Sequence, residues 1–97
     1  MNTKARREHN PALYEAILSL QSVEECLQLF EDLYTMSELS AMEQRYQVAR
    51  ALHEGKIYNE ILAETGASSA TISRVNRSLT YGADGYRRVL SAMGEKR

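Results

Sequence analysis

The 97-residue chain has no tryptophan, a single proline, a single cysteine, one phenylalanine and two histidines. Each scarcity removes a class of protein. A lone Cys26 cannot form an internal disulfide, and with His9 and His53 far apart no zinc-ligand spacing can be assembled. Pro11 is the only proline, so no later helix is interrupted by one. No apolar run approaches the length of a membrane span or a signal core, and the opening MNTKARREHN is polar and charged. A soluble, cytoplasmic protein is expected. No segment alternates apolar and polar residues with period two, and no repeat or low-complexity tract occurs. Neither a nucleophile–base pair nor a metal cluster appears at recognisable spacing, so no enzyme, cofactor or metal is expected.

Basic residues are missing from a long section. Between Glu8 and Glu43 stand Glu8, Glu15, Glu24, Glu25, Glu31, Asp32, Glu38 and Glu43 with no lysine or arginine. The formal net charge is −1 and the pI about 6.1, which alone argues against a nucleic-acid partner. The average hides a reversal. From Gly66 to Leu90 the charges are Arg74, Arg77, Arg87 and Arg88 against Asp84 alone, and phosphate contacts need local rather than overall positive charge.

Helical punctuation runs through the chain. Asn10 and Pro11 supply an N-cap and a first helical position, followed by a stripe of Leu13, Ile17 and Leu20 that predicts a helix over 11–20. Ser22 with Glu25 and Thr35 with Glu38 are capping boxes. They open a second helix bearing Cys26, Leu27, Phe30, Leu33 and Tyr34, and a third over 36–54 ending at Gly55, with Leu39, Met42, Tyr46, Ala49 and Leu52 on its apolar side. A fourth helix is expected over 56–65 and a fifth over 69–79. After a break at Thr80–Ala83, Tyr86, Val89, Leu90 and Met93 mark a last helix. The fold class is all-α, with about six short helices. A basic, flexible N-terminal segment over 1–9, carrying Lys4, Arg6 and Arg7, precedes a single helical domain over 10–97.

The stretch ETGASSATISRVNRSL, residues 64–79, joins two of these helices. Gly66 can take the left-handed conformation that ends a helix, and Ser68 is an N-cap whose hydroxyl can accept from the amide of Ala70 or Thr71. Ile61 lies before the turn, and Ile72, Val75 and Leu79 follow it on one stripe, the apolar skeleton of a helix-turn-helix over 57–79. The opposite face is Ser69, Ala70, Thr71, Ser73, Arg74, Asn76 and Arg77. Short side chains at the start of such a helix allow its backbone close to base edges in the major groove of double-stranded DNA. Arg77 and Lys56 are the candidate phosphate contacts, with Arg87 and Arg88 behind them. The first two helices are apolar on more than one side, which predicts a homodimer built through them. A helical protein-interaction adaptor of the transcription machinery stays open as the alternative. The two readings differ in salt dependence.

With TMSELSAMEQRYQVARALHEGKIYNEILAETGASSATISRVNRSL, residues 35–79, the chain resembles the Trp repressor superfamily. It is similar over about 17–90 to the Trp-repressor-related YerC/YecD family, on SLQSVEECLQLFEDLYT, ARALHEGKIYNEI, ETGASSATISRVNRSL and the YG that follows. The resemblance implies an intertwined homodimer that binds DNA as a transcriptional regulator, in the usual case a repressor. It places operator contacts on Ser68, Ser69, Ala70, Thr71 and Ser73. The segment between Gly55 and Gly66 is one residue shorter than in the Trp repressor, so Tyr58 and Asn59 are named for that helix as candidates only. Around the effector pocket Arg45, Arg74, Thr35 and Ser78 match, whereas Val75 stands where the Trp repressor has a glycine against the indole. Tryptophan is therefore expected to be excluded, with Val75→Gly reopening the space, and two readings of the arginines stay open: they hold a small anionic effector, or they pair with Glu38, Glu43 or DNA phosphate.

Overall fold

A computed structural model of the protein describes residues 7–94. Lys4 and Arg6 of the expected basic segment lie outside the described residues. Among the described residues there are six α-helices and no strand: α1 (Pro11–Leu18), α2 (Val23–Leu33), α3 (Met36–His53), α4 (Tyr58–Thr65), α5 (Ser69–Tyr81) and α6 (Gly85–Gly94). The chain divides after Thr35 into two compact units.

In the first unit the expected caps are formed. Asn10 Oδ1 accepts from the Ala12 amide at 2.9 Å with Pro11 at the first helical position, and Ser22 Oγ accepts from the Glu25 amide at 3.1 Å. The Glu25 carboxylate reaches one residue further back than a capping box requires and accepts from Gln21 N–H at 2.8 Å. α1 ends at Leu18, two residues early, because Ser19 and Leu20 donate to Ala16 and Ile17 in a tightened last turn. No residue of α1 or α2 is buried, and Leu18 and Val23 are each 84% exposed. A helix pair that leaves this much apolar surface in water gains little from its own packing.

The second unit holds the core. α3 packs against α4, α5 and α6, and α5 packs against α4 and α6. Val48, Ala49 and Ala51 of α3 meet Ile61 of α4, Ala67 of the turn, Ile72 and Val75 of α5 and Leu90 of α6. Tyr46, Leu52, Leu79 and Tyr86 close the edges of this cluster. Val48 and Ala51 were not on the expected apolar side of α3. The helix is flanked by three others, so residues on more than one of its sides are buried and a single stripe underestimates its contacts. α3 ends as a Schellman motif: the Lys56 amide donates to Ala51 O at 3.1 Å and the Gly55 amide to Leu52 O at 3.0 Å. That motif takes Lys56, so α4 begins at Tyr58 rather than at Lys56. Among the described residues no helix is long and apolar enough to cross a membrane.

Ile61, Ile72, Val48 and Val75 are the largest fully buried side chains, each contributing about 1.5–3 kcal/mol by burial. Ile61→Ala should lower unfolding stability by about 2–5 kcal/mol. Leu62→Ala, one position along and 37% exposed, should cost less than about 1 kcal/mol. Urea unfolding of both variants checks the difference, and equal losses would show that α4 does not pack through Ile61.

Candidate nucleic-acid interface

The turn between α4 and α5 is closed by hydrogen bonds of its own and by one from α3. Gly66 adopts φ 70°, the left-handed conformation expected of it, and its amide donates to Leu62 O at 3.0 Å. Thr65 serves twice: its hydroxyl donates to Ile61 O at 2.7 Å and accepts from the Ala67 amide at 3.1 Å. From α3, the Gln44 amide group donates to Thr65 O at 3.1 Å. Ala67 sits in the core at 2% exposure. The turn is thereby tied to α3 by a hydrogen bond and by an apolar contact.

α5 starts as expected, one residue after Ser68, whose Oγ accepts from the Thr71 amide at 3.1 Å. The Ser68 hydroxyl proton is donated to Thr71 Oγ1, also at 3.1 Å. Thr71 Oγ1, now an acceptor, keeps its own proton to donate elsewhere. Ser68 is therefore committed to the cap, whereas Ser69, Ala70 and Ser73 are exposed and Thr71 is partly so. Arg74, Asn76 and Arg77 are exposed on the same helix, and their side chains carry no hydrogen bond or ion pair among the described residues. Ile72 and Val75 occupy the opposite, buried side. Tyr58 and Asn59 are exposed in the first turn of α4, where the Glu60 carboxylate accepts from Ile57 N–H at 3.1 Å.

Lys56 is differently placed from the two arginines. Its ammonium donates to both oxygens of Glu64, at 2.9 and 2.8 Å, and stands 3.7 Å from Glu54. It ties the end of α4 to the end of α3 and borders a polar cavity of about 330 Å³ with Gln44, Gln47, Arg50 and Thr65. Hydrogen bonding to Glu64 is the main cause that holds its pKa above the ordinary lysine value; the loss of hydration opposes it and outweighs any single one of the charges of Glu64, Glu54 and Glu60 that add to it. Arg87, at the surface, is also engaged by the protein itself, through hydrogen bonds to the carbonyls of Leu79 and Thr80. α5 continues through Thr80 and Tyr81, two residues past its expected end, and the break is reduced to Gly82–Asp84.

Of the four candidate effector residues, Arg45 is partly buried on α3, Arg74 and Ser78 are exposed on α5, and Thr35 closes the first unit. Neither arginine lines the polar cavity or the apolar one of about 430 Å³ formed by Tyr46, Ser78, Gly82, Ala83, Gly85, Tyr86 and Val89. The role expected of Val75 changes. At 1% exposure it belongs to the core with Val48, Ile61 and Ile72, so a glycine there would open the core itself. Sequence reading also missed Gln44 and the partners of Lys56 and Arg87; helical periodicity carries no signal for a side chain that bonds a backbone atom of another element.

The profile of the family described as Trp repressor protein matches residues 8–94. At 48% identity over 92 residues, covering 95% of this chain and 88% of the relative, the chain is similar to YerC of Bacillus subtilis (strain 168), itself uncharacterized. Two solved structures are also similar. One is a Staphylococcus aureus protein crystallised as a candidate Trp repressor, at 48% identity and TM-score 0.82 over 86% of this chain and 83% of that one. The other is a TrpR-like protein from Eubacterium eligens ATCC 27750, at 51% identity and TM-score 0.82 over 86% of both.

A raised lysine pKa means that the ammonium form is favoured by folding. The Lys56 contribution is fully present below the ordinary lysine range and is lost only as pH climbs through the higher folded value. Carbon NMR of the Lys56 side chain should show titration above that of an exposed lysine, and Glu64→Gln should bring it back toward the ordinary value. A Lys56 that titrates like an exposed lysine in the unmodified protein contradicts the strap.

Proposed function

The chain belongs to the Trp repressor protein family, and from that premise we propose that it is a sequence-specific DNA-binding regulator of transcription that acts as a homodimer. The observation that carries this reading is the outward face of α5. Small side chains at Ser69, Ala70, Thr71 and Ser73 are followed by Arg74 and Arg77, which are exposed and have no protein partner among the described residues. Ser69, Thr71 and Ser73 read base edges directly or through water, and Ala70 allows close approach. Arg77 binds phosphate, Tyr58 and Asn59 approach the backbone from the start of α4, and Lys56 contributes less because two carboxylates already engage it. The exposed apolar residues of α1 and α2, Leu13, Tyr14, Leu18, Val23, Leu27 and Leu33, support pairing of two copies. Two recognition helices would then stand about 34 Å apart, one turn of DNA. Ile57, 63% exposed beside Leu62 at 37%, is the observation on the side of the adaptor reading.

Salt separates the two readings. Gel shift with selected genomic fragments should give an affinity that falls steeply with salt, and the double substitution of Arg74 and Arg77 by alanine, which removes two cations from each protomer, should flatten that slope by up to about 3.6 on a log–log plot. Ser69→Ala and Thr71→Val should relax base preference by about 1–3 kcal/mol for each direct contact. Binding that ignores salt, or no bound DNA at low salt, would favour the adaptor.

A small anionic effector held by Arg45 and Arg74, with Ser78 as a further candidate contact, is the regulatory part of the proposal, and tryptophan is not its ligand. Calorimetry at millimolar tryptophan should give no saturable heat, and micromolar binding would overturn the exclusion. Val75→Gly is not a clean rescue: it removes a buried valine and places glycine within a helix, a combined loss of about 3 kcal/mol.

A further inference from the structure

We propose that Arg87 is a positioning residue for α5, holding the C-terminal end of the recognition helix from α6 instead of contacting DNA. The last carbonyls of a helix have no partner within it. In α5, Ser78 O is taken by the Gly82 amide at 2.9 Å. The next two are taken by one guanidinium: Arg87 Nε donates to Leu79 O at 2.7 Å and Nη2 to Thr80 O at 3.1 Å. Nε and Nη2 form one edge of a rigid planar fork, so two successive carbonyls are met by a group whose spacing is set in advance. Its positive charge also lies at the negative end of the helix dipole.

The chain around this contact is shaped to permit it. A side chain at position 82 would collide with the Ser78 carbonyl oxygen, so glycine lets the backbone turn back against the helix it has just left. Asp84 adopts φ 72°, rare for a residue with a side chain. Its carbonyl accepts the first bond of α6 from the Arg88 amide at 3.0 Å, and its carboxylate stands 3.9 Å from Arg87 Nη1. That ion pair is well exposed and adds little. The carbonyl contacts fix geometry. They account for the extension of α5 through Tyr81, and they couple α5 to α6, which is itself anchored in the core by Leu90. With Ser68 and Gln44 at one end and Arg87 at the other, the direction of α5 is set at both termini. An arginine engaged this way has its Nε/Nη2 edge occupied and cannot offer that fork to a phosphate, although composition alone would count it as a clamp.

The consequence for DNA rests on the regulator reading; the contact itself does not. The test compares Arg87→Ala and Arg87→Lys with the unmodified chain by amide hydrogen exchange and by DNA affinity across salt. In Arg87→Ala, exchange in the last turn of α5, Leu79–Gly82, should accelerate about tenfold, as expected for losing charged hydrogen bonds, while Ile72 and Val75 stay protected. Lysine, with a charge but no fork, should restore part of that protection. DNA affinity of Arg87→Ala should weaken on every sequence with an unchanged salt slope, whereas Arg77→Ala should lower the slope by about 1.8, one contact being lost from each protomer. Unchanged exchange in the last turn overturns the proposal, and so does a salt slope that falls in Arg87→Ala as it does in Arg77→Ala. Should the unmodified protein bind no DNA at any salt, the regulator reading fails, and the exchange measurement still decides the role of Arg87.

Discussion

Everything in the second unit is arranged on α3, and the constraint it imposes is closeness. Ala49 and Ala51 are buried where α3 meets its neighbours, alongside Val48, so the facing helices approach on small side chains and fill the gap with Ile61, Ile72, Val75 and Leu90. The cluster contains no buried polar or charged residue. Its stability is therefore a matter of shape and area, and a core of this size has little reserve against a cavity. The same geometry decides which face of α5 is free, because burying Ile72 and Val75 turns Ser69, Ser73, Arg74 and Arg77 outward.

Polar satisfaction does the second part of the work. The two short connections on either side of α5 would each leave backbone groups in partly dry surroundings, and each is completed by a side chain from another element. Gln44 of α3 closes the turn before α5 at Thr65 O, and Arg87 of α6 closes the end after it. Contacts of this kind restrict rotation and sliding in a way that apolar packing alone does not. The outward face of α5 is presented by a helix held at both ends, a geometry that would lower the ordering cost of the proposed binding.

Local rules made most of the fold legible. Asn10 before Pro11, Ser22, Gly66 and Ser68 act through bonds to residues within three or four positions, and each is found in its expected role. The Ile72 and Val75 stripe was readable for the same reason. What escaped involves partners far along the chain. The Gln44–Thr65 bond spans 21 residues, and Lys56–Glu64 and Arg87–Leu79 span eight; a charged side chain looks the same in sequence whether it faces solvent, a carboxylate or a carbonyl. The misplaced end of α5 follows from this, since Thr80 and Tyr81 stay helical while Arg87 satisfies Leu79 O and Thr80 O. Val75 shows the converse. Its place on the apolar stripe was plain, yet the family comparison drew it into a ligand wall, and burial returns it to the core.

The charge asymmetry acquires a physical meaning once partners are known. The sequence names Arg77 and Lys56 as phosphate contacts with Arg87 and Arg88 behind them, and sets Arg74 beside the effector pocket; composition cannot tell Lys56, Arg74, Arg77 and Arg87 apart. Folding separates them. Lys56 is neutralised by Glu64 and Glu54, and Arg87 is bonded to carbonyls and lies near Asp84. Only Arg74 and Arg77 of the four remain exposed and without a partner among the described residues, and both stand on α5, one turn after its small side chains. Arg88 of α6 is exposed as well, so among the described residues a chain of net charge −1 keeps exposed, unpartnered positive charge on α5 and α6. The acidic section from Glu8 to Glu43 offsets that positive charge in the sum, which is why the net value hides it. Under the proposed regulator reading, such a distribution supplies orientation more than affinity, because a polyanion is drawn to the cationic face of α5 and repelled by acidic surface.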